Sequence, residues 1–267
     1  MFGLKRRVVS HTAFLSFRSF PHATDRARLA LSLSKDSQMK LVIGNKNYSS
    51  WSLRPWLVMA HAGIPFEEVP VRLFTPSFAE EIGRYAPANK VPALIDGDIV
   101  VWDSLAVVEY LAERFPDKQL WPRDPAARAF ARSICAEMHA GFGNLRSQLP
   151  MNLSAMLPGM GWNVAVQRDI DRIVQLWQQA RERFGNGGPF LFGAFSIADA
   201  YFAPVVCRFA TYGIHLPEHA KAYADLVLEL PALQRWIAAA REERDFLAPD
   251  EPYRAAPDRD DAIVIQH

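Results

Sequence analysis

"NYSSWSLRP", Asn47 to Pro55, joins two kinds of pattern. Ahead of it, "MKLVIGN" is an apolar run of strand length. Behind it, "WLVMAHAGI" carries helix formers, with Gly63 as the expected residue after the last turn. Pro55 has no N–H to donate, which a first helical turn tolerates, so the helix should start near Ser50 to Ser52 with Ser49 or Ser50 just in front. One capping residue is enough for such a turn, and serine is among the best. Two serines and Tyr48 are more than a cap requires. A hydroxyl at that place has a second use, because unpaired backbone N–H groups and the positive end of the helix dipole converge there and stabilise an anion. A ligand thiol with an ordinary pKa of roughly 8.5 would be substantially ionised near neutrality in that field.

Working outward, strand and helix alternate. "KLVIG" is followed by the helix "WSLRPWLVMAHAG", then by the strand-like "FEEVPVRL". Residues 75 to 90 read as irregular. "VPALID" and "IVVW" flank a tight turn at Asp96, Gly97 and Asp98 and form a hairpin. "DSLAVVEYLAERFPD" is a helix, with Leu105, Val108, Leu111 and Ala112 at three- and four-residue spacing and Pro116 closing it. After the linker "KQLWPRDP" only helix patterns remain, over roughly 124–149, 160–184, 196–212, 217–228 and 231–244. The expected organisation is an extension over 1–38, an α/β domain over 39–116, an all-helical domain over 124–247 and a flexible tail over 248–267.

Composition narrows the function. The chain has 267 residues, 50% hydrophobic and 22% charged, with a formal net charge of +1. That balance gives no electrostatic reason to expect nucleic acid as a partner, and no apolar run is long enough to span a bilayer. Cys135 and Cys207 are the only cysteines and stand far apart, so neither a disulfide framework nor a zinc pattern is expected, and the reducing cytoplasm is the expected compartment. The charge is uneven. Residues 1 to 38 hold seven Lys or Arg against two Asp. That head reads either as a transit-peptide-like segment or as an over-long extension ahead of a domain that begins at Met39.

Three further motifs follow. In "NKVPALIDGD", Pro92 opens a strand either as an edge-strand proline or through a cis Val91–Pro92 bond that turns the Val91 backbone toward a peptide-like ligand. In "WDSLAVVEYL", Asp103 and Ser104 begin a helix. They are either caps, or a pair in which Ser104 and nearby N–H groups hold a carboxylate while Asp103 holds an ammonium. In "FSIADAYFAPVV", Ser196 and Asp199 have capping-box spacing, with Asp for the usual Glu or Gln, and belong to helix stability. Met138, Phe142, Leu145 and Leu149 form a helical stripe, with His139 and Arg146 beside it. The stripe is either packing or one wall of a pocket.

Together these motifs resemble the cytosolic glutathione transferases over Met39 to about Leu247. "SSWSLRPW" is similar to that family's Ser-type motif, closest to the zeta-like form, with Trp51 where that form has a cysteine. "NKVPAL" resembles its cis-Pro motif, and "DSLAVVEYL" its γ-glutamyl-binding motif with Asp substituted. The resemblance implies a thioredoxin-like α/β domain followed by an all-helical domain, and glutathione as co-substrate with no metal. Ser49 would hydrogen-bond the glutathione sulfur, with Ser50 as the close alternative. Lys90, Val91 and Pro92 would contact the glutathione backbone, and Asp103 and Ser104 its γ-glutamyl end. Met138, His139, Phe142 and Arg146 would line the second-substrate pocket. The resemblance also implies a homodimer, for which Phe74 to Phe78, "FTPSF", offers aromatic anchors. It implies an enzyme acting on a small electrophile. The alternative is a non-catalytic interaction protein on the same scaffold.

Overall fold

The computed structural model describes residues 38–255. The expectations placed on residues 1–37 and 256–267 lie outside the described residues. Strand β1 (Lys40–Ile43) leads through the serine turn into helix α1 (Ser50–Ala62), which returns to β2 (Glu67–Pro70) parallel to β1. A short helix α2 (Phe78–Gly83) precedes the hairpin of β3 (Ala93–Asp96) and β4 (Ile99–Trp102). Helix α3 (Ser104–Arg114) follows directly. The strand order is β2-β1-β3-β4, with β3 antiparallel to both neighbours. Gly97 takes φ +60°, the conformation that the hairpin turn requires and that a side chain disfavours.

The period of two along a strand divides the sheet's faces. Leu41 and Ile43 of β1 and Leu94 of β3 enter the main core, where α1 and α3 pack. Val42 and Ala93 enter a smaller cluster with Val71, Ile82 and Ala86. Ile82 comes from α2, so the stretch read as irregular contains the helix that covers this second face. Its six residues bury only Ile82, which is too little for a period to be visible. Pro92 precedes β3, an interior strand, so the edge-strand reading fails. The Val91–Pro92 bond is cis, and the proline's missing N–H removes nothing from the ladder.

The helical part comprises α4 (Pro125–Ala140), α5 (Gly143–Gln148), α6 (Val164–Phe184), α7 (Ile197–Thr211), α8 (Glu218–Leu228) and α9 (Pro231–Glu242). The helix expected over 124–149 is two helices. Gly141 leaves the helical region and Phe142 sits at φ +56°, which redirects the chain. The stripe Met138, Phe142, Leu145 and Leu149 therefore spans a break, although all four residues still bury in the main core. That core is continuous from the sheet through α1 into α7. Helix α1 is buried on nearly every side because the sheet lies on one flank and α7 and α9 on others.

The tail expected to be flexible from 248 is packed as far as it is described. Just ahead of it, Glu243 accepts from the backbone N–H groups of Lys46 and Asn47 at 2.7 and 3.0 Å. Tyr48 donates to Glu251 at 2.7 Å, and Tyr253 donates to the Gln148 carbonyl at 2.8 Å. This segment straps down the loop that enters α1. Pro- and Asp-rich composition reads as fraying, but the partners of Glu251 and Tyr253 lie 203 and 105 positions away in sequence and leave no local signal.

Candidate active site

Sheet register brings three motifs to one place. Chain order alone separates Ser49, Pro92 and Asp103. Ala93, at the start of β3, pairs with Val42 near the end of β1 and with Trp102 at the end of β4. The cis Val91–Pro92 bond, the turn into α1 and the turn into α3 therefore all lie at the same end of the sheet. Val91 is half-buried and Lys90 exposed there.

Ser49 is the N-cap of α1. Its Oγ accepts from the Ser52 N–H at 3.3 Å and its hydroxyl donates to Ser52 Oγ at 2.8 Å, which also accepts from the Gly44 N–H. Ser50 is differently placed. Its Oγ accepts from Arg208 Nη2 at 3.2 Å, leaving its own proton for another acceptor. Arg208 stands on α7, fully buried, and also donates to the carbonyls of Leu149 and Pro204.

Arg54, one turn further along α1, is 1% exposed. Its guanidinium lies between the rings of Trp51 and Tyr201, 4.3 and 4.5 Å from their centroids. Its Nε and Nη1 have no hydrogen-bond partner among the described residues. Arg146, on α5, stands 5.5 Å from the Trp51 ring and donates to the carbonyls of His139 and Met138. Burial lowers the pKa of Arg54 to about 10, and the charge of Arg146 adds to this. Burial likewise lowers Arg208 to about 10, with the charge of Arg54 adding to it, and burial also lowers Arg146. Three arginines thus stand near the positive end of a helix, where like charges repel and an anion would be stabilised.

Asp103 caps α3 through Oδ1, which accepts from the Leu105 N–H at 2.8 Å, while its backbone holds φ 73° and ψ 131°. Its Oδ2 lies 3.3 Å from His139 Nε2. Ser104 Oγ is 3.0 Å from the Tyr201 hydroxyl, which in turn is 3.3 Å from His139 Nδ1. His139 is thus turned toward the Asp103–Ser104 pair, with Trp51 edge-on against its ring. Met138 has no exposed surface and Phe142 is 8% exposed; both are core packing. The arrangement offers a hydroxyl donor beside buried cations and, close by, a carboxylate beside a serine. It is suited to a ligand with an anionic sulfur and a zwitterionic end.

Tyr201 and Arg208 were not singled out in the sequence. One signal was available: a lone arginine and a tyrosine on "IADAYFAPVVCRFAT", an apolar helix that buries nearly all its length.

The N-terminal domain of the glutathione S-transferase family matches residues 48–114, and the C-terminal domain of the same family matches residues 163–239. Maleylacetoacetate isomerase of Rattus norvegicus is 31% identical over 173 residues, covering 63% of this chain and 77% of that protein. Glutathione S-transferase Z1 of Arabidopsis thaliana is 35% identical over 98 residues. That match covers 36% of this chain and spans less than half, 44%, of the Arabidopsis protein. A glutathione transferase homologue from Burkholderia, solved with bound glutathione, superposes with a TM-score of 0.57 at 22% identity, covering 76% of this chain and 97% of that one. The chain belongs to the glutathione S-transferase family, and its relatives place it with the zeta-like members.

Proposed function

We propose that this chain binds glutathione and activates its thiol for attack on a small electrophile, by conjugation, isomerisation or peroxide reduction. The observation that carries the reading is the buried guanidinium of Arg54, without a hydrogen-bond partner at two nitrogens among the described residues, near Ser50 and Arg208 at the start of α1. A thiolate brought there gains a hydroxyl donor, the helix dipole and two buried positive charges in a site with little water. Of the two serines, Ser50 is the better donor. The Ser49 proton is directed to Ser52 within the cap, whereas Ser50 accepts from Arg208 and keeps its proton available. The Lys90–Pro92 turn would hold the peptide backbone and Asp103–Ser104 the γ-glutamyl end. Trp51 stands where the zeta-like form has a thiol and is held between Arg54 and Arg146. The half-buried Arg146 would face a carboxylate-bearing electrophile.

Two measurements test this. The protein should be retained on immobilised glutathione and released by free ligand. The ultraviolet absorbance of bound thiolate should titrate below the free thiol's range. Retention without a lowered thiol pKa, and without turnover of aryl halides, hydroperoxides or unsaturated dicarboxylates, would leave a non-catalytic binding protein. In the cytoplasm the enzyme would act as a homodimer, with Phe74, 62% exposed, among its anchors. Sedimentation should give twice the chain mass at micromolar concentration, and a monomer mass rejects this part.

A further inference from the structure

His139 and Tyr201 link the helical part to the residues that would grip the amino-acid end of the ligand. Asp103, Ser104, His139 and Tyr201 form one chain of polar contacts contributed by the β4–α3 junction, α4 and α7: hydrogen bonds join Ser104, Tyr201 and His139, and a 3.3 Å contact joins His139 to Asp103. The chain has a physical task. At φ 73° and ψ 131°, Asp103 sits where a side-chain-bearing residue persists only if its surroundings over-determine it. One of its carboxylate oxygens is fixed by the Leu105 N–H, and the other faces His139 Nε2. Trp51 meets the imidazole ring edge-on at 5.1 Å, and Arg146 holds the His139 backbone through its carbonyl at 3.0 Å. On its far side the Tyr201 hydroxyl bridges Nδ1 to Ser104 Oγ, while the Tyr201 ring is held against the Arg54 guanidinium. Ser104 is 1% exposed and cannot reorient freely once the phenol is in place.

We propose that His139 and Tyr201 are positioning residues that fix Asp103 and Ser104 in ligand-binding geometry, so that the helical part sets the affinity for the γ-glutamyl end of glutathione. This rests on the reading of Asp103 and Ser104 as the γ-glutamyl clamp. It takes His139 out of the second-substrate pocket.

The test is a cycle of protein and ligand truncation. S-methylglutathione and S-methylcysteinylglycine, which lacks the γ-glutamyl group, are titrated calorimetrically into the wild type and into His139→Ala, His139→Gln and Tyr201→Phe. Neither ligand has a thiol, so sulfur ionisation does not enter. His139→Ala should weaken S-methylglutathione about tenfold, the worth of one polar contact to a charged group. Binding of S-methylcysteinylglycine should stay as in the wild type. His139→Gln, whose amide N–H can reach Asp103, should recover part of the loss, and Tyr201→Phe should show a smaller loss of the same kind. In turnover the effect should fall on the KM for glutathione rather than on kcat. A wild type that prefers S-methylglutathione, combined with variants that weaken both ligands equally or neither, overturns the positioning role alone. A wild type that does not distinguish the two ligands overturns the clamp itself and the positioning role with it. If His139→Ala does not fold, His139→Gln and Tyr201→Phe decide on the same criteria.

Discussion

Helices α1 and α7 both begin with a serine, and the two starts are built to different ends. At α7 the polar groups close on themselves. Asp199 accepts from the Ser196 N–H, the Ser196 hydroxyl, the Leu191 N–H and the Tyr223 hydroxyl, and has no exposed surface. At α1 the cap closes in the same way through Ser49 and Ser52, but one residue later the network opens. Ser50 keeps a proton, and Arg54 keeps two nitrogens without acceptors among the described residues. A capping serine and the serine proposed here as the thiol's partner thus look alike in sequence and differ by one position at the helix start. What separates them is the buried charge behind the second, which would favour an anion at the start of α1, whereas the polar groups at the start of α7 satisfy one another.

The contrast is broken or sharpened by four changes. The largest effect belongs to Ser50→Ala. Removing one preorganised donor from a developing anion costs about a hundredfold or more in turnover, and the bound thiol's pKa should climb toward its free value in a thiolate absorbance titration. Asp199→Ala should do the reverse. It strands four donors in a dry site and should cost at least about 3 kcal/mol in urea unfolding, while the folded fraction keeps its KM for glutathione.

The third test uses pH. Burial pushes the Asp199 carboxyl up to about 6 against the pull of its four donors. An unfolded Asp titrates near roughly 3.9, so between these values the folded state holds a proton that the unfolded state has released. The proton-linked part of the Asp199 contribution is therefore fully present below about pH 4 and is lost as pH rises through 6. Unfolding free energies of the wild type, measured against Asp199→Asn across that window, should show this slope, and parallel curves would remove it. The smallest effect is that of Ser49→Ala, which should cost about 1 kcal/mol as the loss of a cap. The thiol pKa should follow Ser50 and not Ser49. A large thiol shift in Ser49→Ala would reverse the assignment of the two serines.

Much of this molecule was legible locally. The start of α1 at Ser50, its end before Gly63, the hairpin about Gly97 and the start of α3 after Asp103 each rest on turn and cap chemistry within a few residues. The continuous helix over 124–149 was misread because Ala140 to Leu145 still carries apolar spacing, while Gly141 and Phe142 break the backbone. Helix α2 was missed because one buried side chain gives no period. The tail reads as frayed because Glu251 and Tyr253 find their partners far away in sequence, on the loop before α1 and at the end of α5.

The sequence by itself determined which residue types meet the helix ends: serines at α1, an aspartate and a serine at α3, a proline before β3. It could do so because caps and turns are satisfied by near neighbours. Only the tertiary structure decided which serine is open, where His139 points, and that Arg54, Arg208 and Tyr201 stand behind the site. Those properties depend on desolvation and on which charges α7 brings to α1, and neither has a counterpart in the order of residues along the chain.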